Sequence, residues 1–162
     1  MARLEILTYA HPALRSKTSE VTQFDDELLT LVEDMVETMY EGDGVGLAAP
    51  QIGNLQRLFV YDVGEGAHAV VNPSIYRMQG EEVGEEGCLS IPRLQGDVSR
   101  AVKIGVTWQD ETGRKFKRTF EGFTARVFQH ETDHLDGILY TDRAIPGTLR
   151  LAEETSDDRM TG

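Results

Sequence analysis

Cys88 is the only cysteine in the chain, so no intramolecular disulfide can form and a reducing compartment is the simplest setting. No stretch approaches the roughly eighteen apolar residues of a membrane span. Met1 to His11 carries Arg3 and Glu5 rather than the apolar run of a signal peptide. Basic charge is scarce. Sixteen Lys and Arg stand against 28 Asp and Glu, a net charge of -12, which argues against nucleic acid or a membrane surface as the main partner. No internal repeat, low-complexity block or linker divides the 162 residues. One domain is therefore expected over 1–162, long enough to bury about two thirds of its unfolded surface. Together these absences predict a soluble protein of the cytoplasm, or of an organellar stroma or matrix in a eukaryotic host.

What is present sorts into a few elements. From Phe24 to Tyr40, Leu28, Leu29, Val32, Met35, Val36, Met39 and Tyr40 recur at helical steps, with Asp25 or Asp26 as N-cap and Gly42 as terminator. Leu4 to Leu7 is a short apolar segment, and His11 to Arg15 reads as an extended or turning piece because Pro12 biases its predecessor away from helix. Arg57 to Val63 and His68 to Tyr76 read as strands. So do Val98 to Trp108 and Lys115 to Phe120, a hairpin turning at Asp110 to Gly113. His68 stands alone and reads as a surface residue, since metal ligands come in clusters. Phe123 to Leu135 is a second helix with Gly137 at its C′ position, Leu149 to Glu154 suggests two more helical turns, and 155–162 reads as a polar, frayed tail. Strands grouped apart from helices give an α+β chain rather than alternating βαβ units.

Two stretches carry chemistry. Gly42 to Gly53 holds four glycines, but no lysine followed by Ser or Thr and no G-x-G-x-x-G continuation, so it does not read as a phosphate-cradling loop. His130-Glu131-Thr132-Asp133-His134 places two histidines on one face of the second helix, where one divalent ion can take both. Glu131, turned roughly 100° away, can reach a water at that ion as a general base. A catalytic ion usually takes three protein ligands. A histidine at position 140 would make a metzincin, but Tyr140 stands there. Glu153 or Glu154 would make a thermolysin-like zinc endopeptidase, although Pro146-Gly147 interrupts a helix that would carry them. Cys88 is the third candidate, a soft ligand beside a bend at Gly87. Val127 lies three, four and seven positions before His130, Glu131 and His134 and shares their face. It is a candidate wall for a substrate side chain, matched by Val45 from the glycine loop.

Three ordered segments, Gly44-Val45-Gly46-Leu47-Ala48-Ala49-Pro50-Gln51, Glu86-Gly87-Cys88-Leu89-Ser90 and Gln129-His130-Glu131-Thr132-Asp133-His134, resemble the motifs of peptide deformylases. The similarity runs from about His11 to Arg143. It implies an α+β fold, with antiparallel β-sheets packed around a central helix that carries the histidines. It also implies an Fe(II) hydrolase that removes the formyl group from N-formylmethionyl peptides and releases formate; zinc, nickel or cobalt also suit the ligands. Carried over residue by residue, Cys88, His130 and His134 are ligands, and Glu131 is general base and acid toward the metal-activated water. Gln51 and the Leu89 N–H would stabilise the oxyanion, and Gly46 would bind the peptide backbone. The partners implied are the nascent peptide and, transiently, the ribosome, with no nucleic acid and no membrane. Two features depart from the pattern. Arg93-Leu94-Gln95 has glutamine where some members have arginine, and the short, acidic end lacks the basic helix that some members use near the ribosome.

Overall fold

The computed structural model describes residues 3–152. A 3-10 turn at Pro12–Arg15 precedes α1 (Asp26–Glu41), β1 (Gly46–Ala48), a second 3-10 turn (Ala49–Ile52), β2 (Leu58–Tyr61), β3 (His68–Gln79), β4 (Glu82–Cys88), β5 (Ile91–Arg100), β6 (Lys103–Gln109), β7 (Lys115–Glu121), α2 (Gly122–Leu135), α3 (Tyr140–Arg143) and β8 (Arg150–Leu151). Two antiparallel sheets result, one ordered β1-β2-β3-β6-β7 and one ordered β4-β5-β8.

Alternation along the strands places α1 and α2 on opposite faces of the larger sheet. Leu58, Val60, Ala69 and Val71 cluster with Val32, Met35 and Met39 of α1. Phe59, Tyr61 and Val70, offset by one residue, cluster with Ala125, Val127 and Phe128 of α2. That is why β2 is buried at every position. The other side of α2 meets β4 and β5 through polar side chains, so this helix lies between the sheets and is buried nearly all round. A helix in that place must satisfy its polar groups internally. Gln129 does so with the backbone of Ala101, donating to its carbonyl at 2.9 Å and accepting from its N–H at 3.0 Å.

Ala101 marks the first departure from the expected elements. The single strand expected from Val98 to Trp108 is two strands, β5 ending at Arg100 and β6 beginning at Lys103, in different sheets. The hairpin with Lys115 to Glu121 belongs to β6 alone. No glycine or proline signals the crossing; Gln129 stabilises it from another element. The second departure is at 149–154, where helical turns were expected. Arg150–Leu151 is instead a strand paired with Leu94 and Gln95 of β5. Glu153, Glu154 and the tail lie outside the described residues.

The ends of both helices follow the sequence. Asp25 caps α1, its carboxylate accepting from the Leu28 N–H at 3.0 Å, and Gly42 closes it. α2 ends in a Schellman arrangement, with Ile138 N–H donating to the Asp133 carbonyl and Gly137 N–H to that of His134. Gly137 has φ +77, and a Cβ there would stand 2.7 Å from the Arg15 carbonyl oxygen. Gly137→Ala is therefore expected to lower the urea unfolding free energy by at least about 1 kcal/mol, through the left-handed backbone and the backbone collision together. An unchanged midpoint would contradict this account of the turn.

Candidate metal centre

Cys88, His130 and His134 converge from two elements, with donor atoms all within 4.8 Å of one another. The histidines stand one helical turn apart on α2. The thiol comes from the end of β4, where the ladder to β5 slips between Gly87 and Cys88. The extra residues of that slip, Pro92, Arg93 and Leu94, belong to β5, where Arg93 takes φ +67, so the bend expected at Gly87 lies across the ladder from it while β4 itself runs on unbroken to Cys88. All three residues are buried, at 1 to 3% exposure. Cys88 Sγ lies 3.4 Å from His134 Nε2, the spacing of two ligands each roughly 2.0–2.3 Å from one ion at a tetrahedral angle. A soft thiolate with two imidazoles suits iron, cobalt, nickel or zinc.

The surrounding carboxylates orient these groups. His130 Nδ1 hydrogen-bonds Glu86 Oε1 at 2.9 Å, which leaves Nε2 as the ring atom that can ligate. Arg100 grips both oxygens of Glu86 at 2.9 Å and reaches Asp133 at 2.7 Å. Arg126 donates to Glu86 Oε2 at 2.6 Å. Burial alone would raise the Glu86 carboxyl, but the Arg100 and His130 hydrogen bonds hold it well below the usual carboxylate range. Glu86, Arg100, Arg126 and Asp133 were not singled out as site residues from the sequence. Glu86 offered one signal, an acidic residue two positions before Cys88 and so on the same strand face, and Arg126 another, four positions before His130 on one helix face; Arg100, distant in sequence, offered none.

Glu131 shows the reverse balance. At 1% exposure its carboxyl is pushed up to about 7, chiefly by burial, with the charges of His130 and Arg100 opposing and that of Glu86 adding. Its Oε1 is a buried oxygen with no hydrogen-bond partner among the described residues, the orphan expected of a group that needs water or substrate to complete it. Gly46 permits this packing. A Cβ at Gly46 would collide with Glu131 Oε2 and stand 2.9 Å from its Cδ, in a backbone conformation that alanine could otherwise adopt. Gly46→Ala is expected to lower kcat by about 10² with metal content unchanged, because it would displace the Glu131 carboxylate by about an ångström. Wild-type turnover in that variant would show that the close approach has no catalytic role.

Gln51 is fully buried, and its orientation is set by its neighbours. Oε1 must face the Ala48 N–H, at 2.9 Å, so Nε2 faces Cys88 Sγ at 3.5 Å and Ser90 Oγ at 3.2 Å. Leu89 and Ser90 form the turn between β4 and β5, so the Leu89 N–H leaves the same bend as the thiol. Val127 is 1% exposed in the α2 core cluster, and the half-buried Val45 packs on that same cluster. His68 is exposed, as expected. A surface cavity of about 540 Å³ beside Tyr61, His68, Trp108, Arg118 and Phe120 does not include the three clustered donors. Donor chemistry, not cavity size, locates the centre.

Comparison with known proteins agrees with the geometry. A family model described as polypeptide deformylase matches residues 3–149. A peptide deformylase of Caldicellulosiruptor bescii is 49% identical over 145 residues, covering 90% of this chain and 87% of that protein. The crystal structure of peptide deformylase from Thermotoga maritima aligns with a TM-score of 0.89 at 47% identity, covering 90% of this chain and 100% of the other. That from Thermus thermophilus aligns with a TM-score of 0.84 at 49% identity, covering 88% and 86%.

Proposed function

Since the chain belongs to the polypeptide deformylase family, we propose that Cys88, His130 and His134 hold its catalytic metal and that Glu131 moves the proton on which its reaction depends. The reaction is hydrolytic removal of the N-formyl group from nascent peptides. One observation carries the assignment of roles: a buried thiol and two imidazoles converge beside a buried carboxylate whose Oε1 has no partner among the described residues.

When bound, the metal supplies Lewis-acid activation of water and of the formyl oxygen, making a hydroxide equivalent available near neutral pH. Glu131 accepts the proton of the attacking water and returns it to the departing nitrogen, because an amide anion is too basic to leave unprotonated. The C–O bond forms, the C–N bond breaks, and formate and a free amino terminus result. The Gln51 amide and the Leu89 N–H donate to the oxygen that gains charge, each a type of contact whose loss costs about 10² to 10³ in rate. β1 is an edge strand. Gly46 can therefore offer its backbone to an extended peptide in strand fashion. Val45 and Val127 stand as walls for the methionine side chain, and a Val127→Trp enzyme with wild-type kinetics on formyl-Met peptides would dispose of that role.

In our reading the ion is Fe(II), one per chain, with zinc, nickel or cobalt able to substitute. The chain acts as one catalytic domain in the cytoplasm or its organellar equivalent, meeting the ribosome only transiently. No helix among the described residues is long and apolar enough to cross a membrane. The test is formate release from a formyl-Met-Ala type peptide by anaerobically purified protein. Turnover that fades in air is the expected result. Absence of formate would overturn the functional reading, and equal stability in air would overturn the iron assignment.

A further inference from the structure

β4 and α2 run side by side, and their side chains meet in steps. Alternate residues of a strand share a face and advance about 6.6–6.8 Å. Residues four apart on a helix share a face and advance about 6.0 Å. The two repeats nearly match, so a strand and a helix lying along one another can stay in contact over several steps. Glu86 meets His130 at 2.9 Å and Cys88 meets His134 at 3.4 Å. One step earlier on both elements, Gly84 meets Arg126. A Cβ at Gly84 would stand 2.9 Å from Arg126 Cζ and 3.0 Å from Nη2. Gly84 lacks a positive φ. The glycine makes room for the guanidinium rather than for a turn.

Arg126 is 7% exposed and joins both strands of the hairpin to the helix. Nη1 donates to Glu86 Oε2 at 2.6 Å and to the Val98 carbonyl of β5 at 3.0 Å, and Nη2 donates to the Glu82 carbonyl of β4 at 2.7 Å. Glu86 is already paired in two places by Arg100. The particular contribution of Arg126 is therefore the pair of backbone contacts, one on each strand, which a planar guanidinium can make together and a lysine cannot.

We propose that Arg126, seated over Gly84, is the positioning residue that fixes the register of α2 against the β4–β5 hairpin, and with it the spacing of Cys88 from His130 and His134. The thiol and the imidazoles sit on different elements, so their separation depends on how helix and hairpin lie together, and a metal site tolerates only about 0.2 Å of error in its ligand distances. This inference rests on the ligand assignment above.

Cobalt(II) titration of the metal-free protein tests it, read by affinity and by the thiolate-to-cobalt charge-transfer band. Two variants keep the arginine or its charge but disturb the seat: Gly84→Ala displaces the guanidinium, and Arg126→Lys removes the fork. Both are expected to bind cobalt about 10- to 100-fold more weakly, with a shifted or weakened band. Wild-type affinity and band in either folded variant would overturn the proposal. Gly84→Ala decides alone if the lysine variant does not fold. Wild-type protein that binds cobalt without a thiolate band would overturn the ligand assignment itself, and the clasp with it.

Discussion

Glutamine in place of Glu131 is expected to lower kcat on a formyl-Met peptide by about 10³ while the protein keeps its metal. The amide preserves the volume packed against Gly46 but can neither take the proton from water nor return it to the leaving nitrogen. Alanine should do the same with a small cavity added. A module that merely binds metal or peptide would be indifferent to either change. The wild-type pH profile carries a matching signature. The role proposed for Glu131 requires its basic form, so activity is expected to fall as pH drops, losing one proton's worth of slope. Burial, opposed by the charges of His130 and Arg100 and aided by that of Glu86, brings that carboxyl from an ordinary 4.5 to about 7, and a bound cation lowers it. The acid limb should therefore have its midpoint between those two values. Activity on the glutamine variant within tenfold of wild type, or an acid limb spanning two protons, would remove Glu131 from the role.

Alanine at Cys88 is expected to cost at least about 10² in metal affinity, since losing even an outer partner of a ligand costs 10- to 100-fold. The side chain is small and belongs to an apolar core cluster with Leu14, Ile91 and Leu139, with Gln51 and His134 as its polar neighbours, so the metal-free fold should survive. What should vanish is the stabilisation that metal confers, about 2.7 kcal/mol at a hundredfold excess over the dissociation constant. Thermal unfolding with and without metal reads it directly. Glu154→Ala, by contrast, should retain both metal and shift. If the glutamate variant released the metal and the cysteine variant held it, the centre would be that of a zinc endopeptidase.

Much of this was legible in the chain because local patterns report local faces. The 3.6-residue period, Asp25 and Gly42 bounded α1, and Gly137 ended α2, because capping and left-handed turns draw on residues close in sequence. The hairpin turn at Asp110 to Gly113 is similar. The strand break at Ala101 left no local trace, since the group that satisfies its peptide is Gln129, 28 residues away. Arg150–Leu151 is extended because β5 offers it an edge, not because of its own propensity.

The candidate site divides along the same line. Helical spacing alone put His130 and His134 on one face with Glu131 beside them, and Tyr140 removed the metzincin histidine as third ligand. The resemblance of three segments then pointed to Cys88. Tertiary structure decided the rest. It brought the thiol to 3.4 Å from His134, set Glu86 behind His130 among two arginines, and pressed Gly46 against Glu131. Periodicity says which residues of a segment share a face but not which two faces will meet. Here the meeting depends on a two-residue strand repeat running almost in step with a four-residue helix repeat, a match that exists only once β4 and α2 lie together.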